Sequence, residues 1–269
     1  MIPGGALATE GESDRMGGRH VHRARRLLEG ALDAALPEER LVRAARTAVA
    51  ELGSPERLSD LVRELATGVG APSGCARLSY RHVLGFDKLL LIDGGPRHML
   101  RAHVWHPGTR SAGREDIHNH RSPLASYVVR GKLGMELYEP LRGPADPGES
   151  GIATSWYRES LSDVEGHWLL EPAGPARLRL TQTAEYGTGS GYGLPSYALH
   201  RAWCASAGTA VTLFLETGAG RRRYTDVFAG SADSANADAG DRAEAVVKRP
   251  MEVDEYLAEL ESLAKLISR

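Results

Sequence analysis

The sequence predicts a mostly β protein, a sandwich or small barrel preceded by helices and followed by one more. Three observations carry that expectation. Apolar residues recur at three- and four-residue steps from Gly18 to Thr67, the period changes to two after Gly68 to Gly74, and the helical period returns from about Val253 to Ile267.

The N-terminal helices are read first. Leu27, Leu28, Ala31, Leu32 and Leu36 keep one helical period, Pro37 interrupts it, and Leu41, Ala44, Ala45, Ala48 and Leu52 resume it. Ser54 followed by Pro55 marks a third start, with Leu58, Leu61, Val62 and Leu65 on its apolar face. The basic cluster from His20 to Arg26 reads as a solvated helix face.

About ten short strand candidates follow: 77–84, 88–92, 98–105, 116–120, 125–129, 132–138, 166–170, 177–183, 196–203 and 209–216. Turn chemistry separates them, as at Asp93-Gly94-Gly95-Pro96, Arg130-Gly131 and Pro172-Ala173-Gly174-Pro175. The Gly-rich run 187–193 does not lead from a strand into a helix, so it reads as a flexible loop or lid and not as a dinucleotide fingerprint. The boundaries expected are a flexible tail 1–14, a helical region 15–70, a barrel 75–217, an irregular linker 218–250 and a C-terminal helix 251–269.

Composition narrows the class. With 33 Lys+Arg against 35 Asp+Glu, the net charge of −2 argues against a nucleic-acid binder. Two cysteines, Cys75 and Cys204, make neither a disulfide framework nor a metal finger and suit a reducing cytoplasm. No apolar run reaches the roughly 18 residues of a membrane span, and the first residues lack a signal-peptide pattern. A cytoplasmic protein is expected. The stripe Val253, Tyr256, Leu257, Leu260, Leu263, Ala264 and Ile267 reads as core or homodimer packing.

Chemistry concentrates in Asp116-Ile117-His118-Asn119-His120. Residues two apart on a strand share a face, so His118 and His120 project together as two metal ligands. A third is needed for a firm site, and His200, on a late strand, is the best candidate. Period-two reasoning also places Thr212, Phe214 and Glu216 on one face with Val211, Leu213 and Leu215 on the other, against the helices. It groups Arg101, His103 and Trp105 likewise. Glu216 then either receives a substrate ammonium group, acts as a base, or is a strand-end surface carboxylate. His103 is either an acid or base near the metal or a hydrogen-bonded core imidazole.

These residues resemble the cupin superfamily. His118-Asn119-His120 through Gly131 matches its first motif, and Pro195 to His200 its second. The resemblance spans roughly residues 78–216 and implies a cupin double-stranded β-barrel, with N-terminal helices and a C-terminal helix added, holding one metal in its mouth. The usual cupin glutamate is replaced by Leu124 and Ala125, and the three-histidine set that remains is similar to the cysteine dioxygenase branch. That likeness extends to Tyr197-Ala198-Leu199-His200-Arg201 and to Ser79-Tyr80-Arg81, which implies Arg81 as the clamp for a substrate carboxylate. It departs in the final strand, where Thr212, Phe214 and Glu216 replace the family's serine, histidine and tyrosine. The function expected is a mononuclear non-haem Fe(II) oxygenase taking O2 and a small amino-acid-like or thiol substrate. The alternatives are a metal-dependent isomerase, epimerase or hydrolase using Zn, Ni or Mn, or a ligand-binding cupin without catalysis.

Overall fold

The computed structural model describes residues 18–82, 85–106, 116–141, 151–161, 167–218, 222–230, 244–247 and 249–268; the expected tail lies outside them. Helices α1 (Arg19–Ala31), α2 (Glu38–Leu52), α3 (Pro55–Ala66) and α4 (Pro72–Arg77) come first. Pro37 stands at the cap of α2 and Pro55 inside the first turn of α3, where a missing N–H costs nothing, although Ser54 makes no side-chain capping bond.

The strands are β1 (Tyr80–His82), β2 (Phe86–Asp93), β3 (His98–Trp105), β4 (Ile117–His118), β5 (Leu124–Arg130), β6 (Lys132–Pro140), β7 (Ile152–Leu161), β8 (His167–Gly187), β9 (Gly191–Leu194), β10 (Leu199–Cys204), β11 (Ala210–Thr217), β12 (Thr225–Gly230) and β13 (Glu244–Val247). Helix α5 (Val253–Ile267) closes the chain. One antiparallel sheet has the order β1-β2-β3-β11-β5-β9, the other β13-β8-β6-β10-β4-β12-β7, with β8 and β7 also paired. The two sheets face each other as the expected double-stranded β-barrel.

Alternation along the strands builds two cores from the first sheet. Val211, Leu213 and Leu215 lie with Leu89, Leu100 and Ala102 against Leu28, Val49, Leu61 and Tyr256 of the helices. The opposite face sends Phe86, Trp105, Leu124, Val128 and Phe214 into the barrel, where they meet Leu133, Met135, Ala202 and Cys204 of the second sheet. A third cluster, Ile117, Tyr138, Leu178, Leu199 and Phe228, fills the back of the second sheet. Helix α5 buries Tyr256, Leu260, Leu263 and Ala264, and the Tyr256 hydroxyl donates to the Leu90 carbonyl at 2.6 Å. Its stripe is therefore covered within the chain and gives no support to a homodimer.

Several local expectations change. Residues 218–250 are not wholly irregular, because Thr225–Gly230 pairs with β7 and β4, and Glu244–Val247 with β8. The run 187–193 is no lid, since Gly191–Leu194 adds a strand to the edge of β5. The turn expected at Pro172–Pro175 is a bulge inside β8, where Gly174 takes φ +117° and the ladder to β7 slips by one residue. At the true tight turn, Gly131 has φ +79°, and a Cβ there would stand 2.8 Å from that of Ala210. Among the described residues no helix is long and apolar enough to cross a membrane.

Leu213 is fully buried between β11 and the helical layer. Leu213→Ala is expected to cost about 2–5 kcal/mol in denaturant unfolding, because the rigid sheet cannot collapse onto the void. A cost under about 1 kcal/mol would mean that the helices do not pack on this face.

Candidate metal centre

His118 and His200 stand directly opposite each other in the β4–β10 ladder, so their side chains leave the sheet on one face. His120, two residues along, joins them. The ring centres are 4.7 Å apart for His118 and His200, 5.1 Å for His118 and His120, and 5.2 Å for His120 and His200. One ligand atom from each ring lies within 4.8 Å of the others, and among the described residues no carboxylate belongs to this group.

Polar contacts aim the rings. His118 Nδ1 lies 2.8 Å from the Asp116 carbonyl oxygen, and His200 Nδ1 lies 3.1 Å from that of Ala198. An imidazole whose Nδ1–H donates to a carbonyl presents Nε2 as its lone-pair nitrogen, the form that binds a metal. The His120 ring titrates well below 6.5, chiefly because it is desolvated and then because His118 and His200 are near. All three donors are thus suited to be neutral ligands, and the set fits a borderline divalent ion. Leu124, which stands where the resemblance would have a glutamate, is buried in the barrel interior.

Asn119, between the two ligands, points the opposite way and is buried. Its Nδ2 donates to Asp226 Oδ2 at 2.8 Å, while its Oδ1 accepts from the Asp226 N–H at 2.8 Å. Asp226 also accepts from Trp156 Nε1 at 3.0 Å and from Arg222 Nη2 at 2.7 Å. This clamp holds the very short β4 against β12. Sequence reasoning missed it: the phase of Asn119 was visible, but nothing marked Asp226 inside a stretch rich in small residues.

The remaining candidates separate. Glu216 and Arg101 form a largely buried ion pair at 2.9 Å, 13% and 15% exposed, so Glu216 faces inward as expected but already holds a cation. His103 is buried in the barrel, stacked on Phe214 at 4.7 Å, and Phe214 in turn is 5.7 Å from His120. Desolvation first, then Lys88 and Arg101, hold His103 well below 6.5. Arg81 is not brought to the site. It is 65% exposed and pairs with Glu259 at 3.0 Å and Glu255 at 3.7 Å on α5. The reason is phase: His82 stacks on Phe86 inside the barrel, so the residue before it faces outward.

Fold and site together define a two-sheet antiparallel β-barrel with a three-histidine cluster on its second sheet. No family model matches the chain, and no curated protein does. Among solved structures it is similar to an RmlC-like cupin from Shewanella frigidimarina, at 13% identity over 52% of this chain and 83% of that one, with a TM-score of 0.31. It is also similar to the polyketide cyclase RemF from Streptomyces resistomycificus, at 16% identity over 61% of this chain and 88% of that one, TM-score 0.35. An oxalate decarboxylase from Lactobacillus farciminis is 12% identical over 56% of this chain, TM-score 0.32, and this chain spans 32% of its length. Overlaps of that extent carry no argument about the reaction.

Two measurements check the site. Asn119→Ala is expected to weaken divalent-metal binding roughly tenfold to a hundredfold, because β4 loses what orients it; unchanged affinity would show that the clamp does not position the ligands. The pH dependence follows from His103 and His120, whose folded values are depressed. Below about 6.5 the unfolded chain binds protons that the folded chain refuses, so stability falls with falling pH. The Tm of the metal-free chain should drop between about pH 7 and pH 5, and a flat or rising Tm there would contradict neutral buried imidazoles.

Proposed function

We propose that this chain is a mononuclear non-haem Fe(II) oxygenase of the three-histidine cupin type, acting on a small amino-acid-like or thiol substrate with O2. The observation that carries the reading is the convergence of His118, His120 and His200 without a carboxylate among the described residues. His118, His120 and His200 would hold Fe(II) as neutral ligands, which would leave it Lewis-acidic toward a chelating substrate and able to activate dioxygen.

The chain's own groups do the rest. The Asp116 and Ala198 carbonyls hold the Nδ1 protons of His118 and His200 and so fix the ring orientations. Phe214, 5.7 Å from the His120 ring, joins Leu124 and Val128 in the apolar core of the barrel. The Arg101–Glu216 pair neutralises itself, so Glu216 holds its wall in place and does not take a substrate ammonium group or a proton. His103, kept neutral by burial, stands on the wall opposite the ligands and is suited to donate a hydrogen bond to a substrate through its one N–H.

The experiment is metal analysis of protein purified without oxygen, paired with oxygen uptake on a panel of thiols and amino acids. Stoichiometric iron and substrate-triggered uptake, both abolished in His120→Ala, are expected. Full zinc occupancy with no uptake would replace this reading with a hydrolase or isomerase, and no metal at all would leave a ligand-binding barrel.

A further inference from the structure

Behind the sheet that carries the histidines, β8, β6, β10, β4, β12 and β7 pair in turn and β7 returns to β8, so these strands close a second, smaller ring. Ile117, Leu178, Leu199 and Phe228 fill it, with Trp156 packed against them. Arg158 follows Trp156 by two residues on β7 and stands opposite Asp226 in the β7–β12 ladder, so its side chain shares their face. Its guanidinium carbon lies 5.0 Å from the centre of the Trp156 ring and 4.6 Å from that of Tyr224.

Ring faces attract that cation but offer its N–H groups no lone pair as an oxyanion does. Asp226 is the nearest carboxylate along the ladder, and it is already taken: its Oδ2 accepts from Asn119 and Arg222, its Oδ1 from Trp156. Glu171, the neighbour of Arg158 on β8, is exposed and in no ion pair with any described residue. Arg158 Nε is buried without an acceptor among the described residues, and so is Nη1 of Arg222, whose Nη2 holds Asp226. Burying such donors unpaired is costly unless an acceptor is to fill the place. Two guanidinium groups gathered around one carboxylate also leave a positive charge unanswered.

We infer that Arg158 and Arg222 form a phosphate site in this second ring, on the opposite face of the sheet from the histidine cluster. The planar guanidinium fork matches two oxygens of a phosphate group. Arg222 can take the phosphate through Nη1 while Nη2 keeps Asp226. Because Asp226 holds Asn119 between His118 and His120, a phosphate that orders Arg222 tightens the restraint on β4. The site is regulatory, and it depends neither on which metal the histidines hold nor on the reaction.

The test titrates inorganic phosphate, and separately methyl phosphate, into the metal-free full chain by calorimetry, with chloride holding the ionic strength. Working without metal keeps the probe off the histidine centre. Saturable binding is expected, weakened more than about tenfold in Arg158→Met and less in Arg158→Lys, which keeps the charge but loses the fork. The tighter of the two probes assigns the occupant as the free ion or a phosphate ester. Arg158 has no acceptor to lose, so Arg158→Met is expected to leave the Tm in chloride unchanged or higher; a lower Tm with unchanged phosphate binding would make it a packing residue and overturn the site. No binding overturns it too, as does binding that neither substitution weakens, which would be an adventitious ion only. Should Arg158→Met fail to fold, Arg158→Lys decides, and unchanged affinity there overturns the site. The Asn119 N–H donates to the Asp226 carbonyl at 3.1 Å, and its hydrogen exchange should slow several-fold with phosphate in the wild-type chain but not in the Arg158 variant. Binding without slower exchange would overturn the coupling to β4.

Discussion

The site depends on one pairing: a two-residue strand, β4, held in register against β10 so that His118 and His200 face each other across the ladder. So short a strand has little hydrogen bonding of its own. The Asn119–Asp226 clamp on its other side supplies the missing restraint, and the back of the second sheet packs Ile117 against Leu199 and Phe228. The alternation that sends histidines into the barrel thus sends the residues that anchor them into a separate core.

The first sheet has the complementary task. Its outer face is buried under helices, as a sheet covered on both sides requires, and this gives a stiff wall. Its inner face is apolar near Phe86, Trp105 and Phe214, with a few polar groups set among the rings. Arg101 Nη1 pairs with Glu216 there, while Arg101 Nε, His103 Nε2 and Ser126 Oγ have no partner among the described residues. A wall that is rigid and, among the described residues, incompletely paired is preorganised for a ligand that completes it.

Much of this was legible in the sequence, and for a reason. In β11, Val211, Leu213 and Leu215 alternate with Thr212, Phe214 and Glu216, so the strand and the split between Phe214 and Leu213 could be read. The spacing of His118 and His120 gave the pair, since two steps on a strand fix a shared face. What was not legible depends on partners distant in the chain. The strand Gly191–Leu194 is half glycine and exists because β5 offers an edge; Thr225–Gly230 sits in composition that reads as linker until β7 and β4 pair with it. Arg81 shows the same limit. Period two says that residues 80 and 82 share a face, but which face is inward is set by the pairing of β1 with β2.

The most direct test of the central claim is the X-ray absorption spectrum of the chain loaded with one divalent metal ion. Three imidazole nitrogens at about 2.0–2.1 Å, with the rest of the shell made of water oxygens, is the result predicted. A shell containing sulfur, or one whose imidazole scattering is unchanged when residue 200 is alanine, would contradict the convergence of these three rings on one ion.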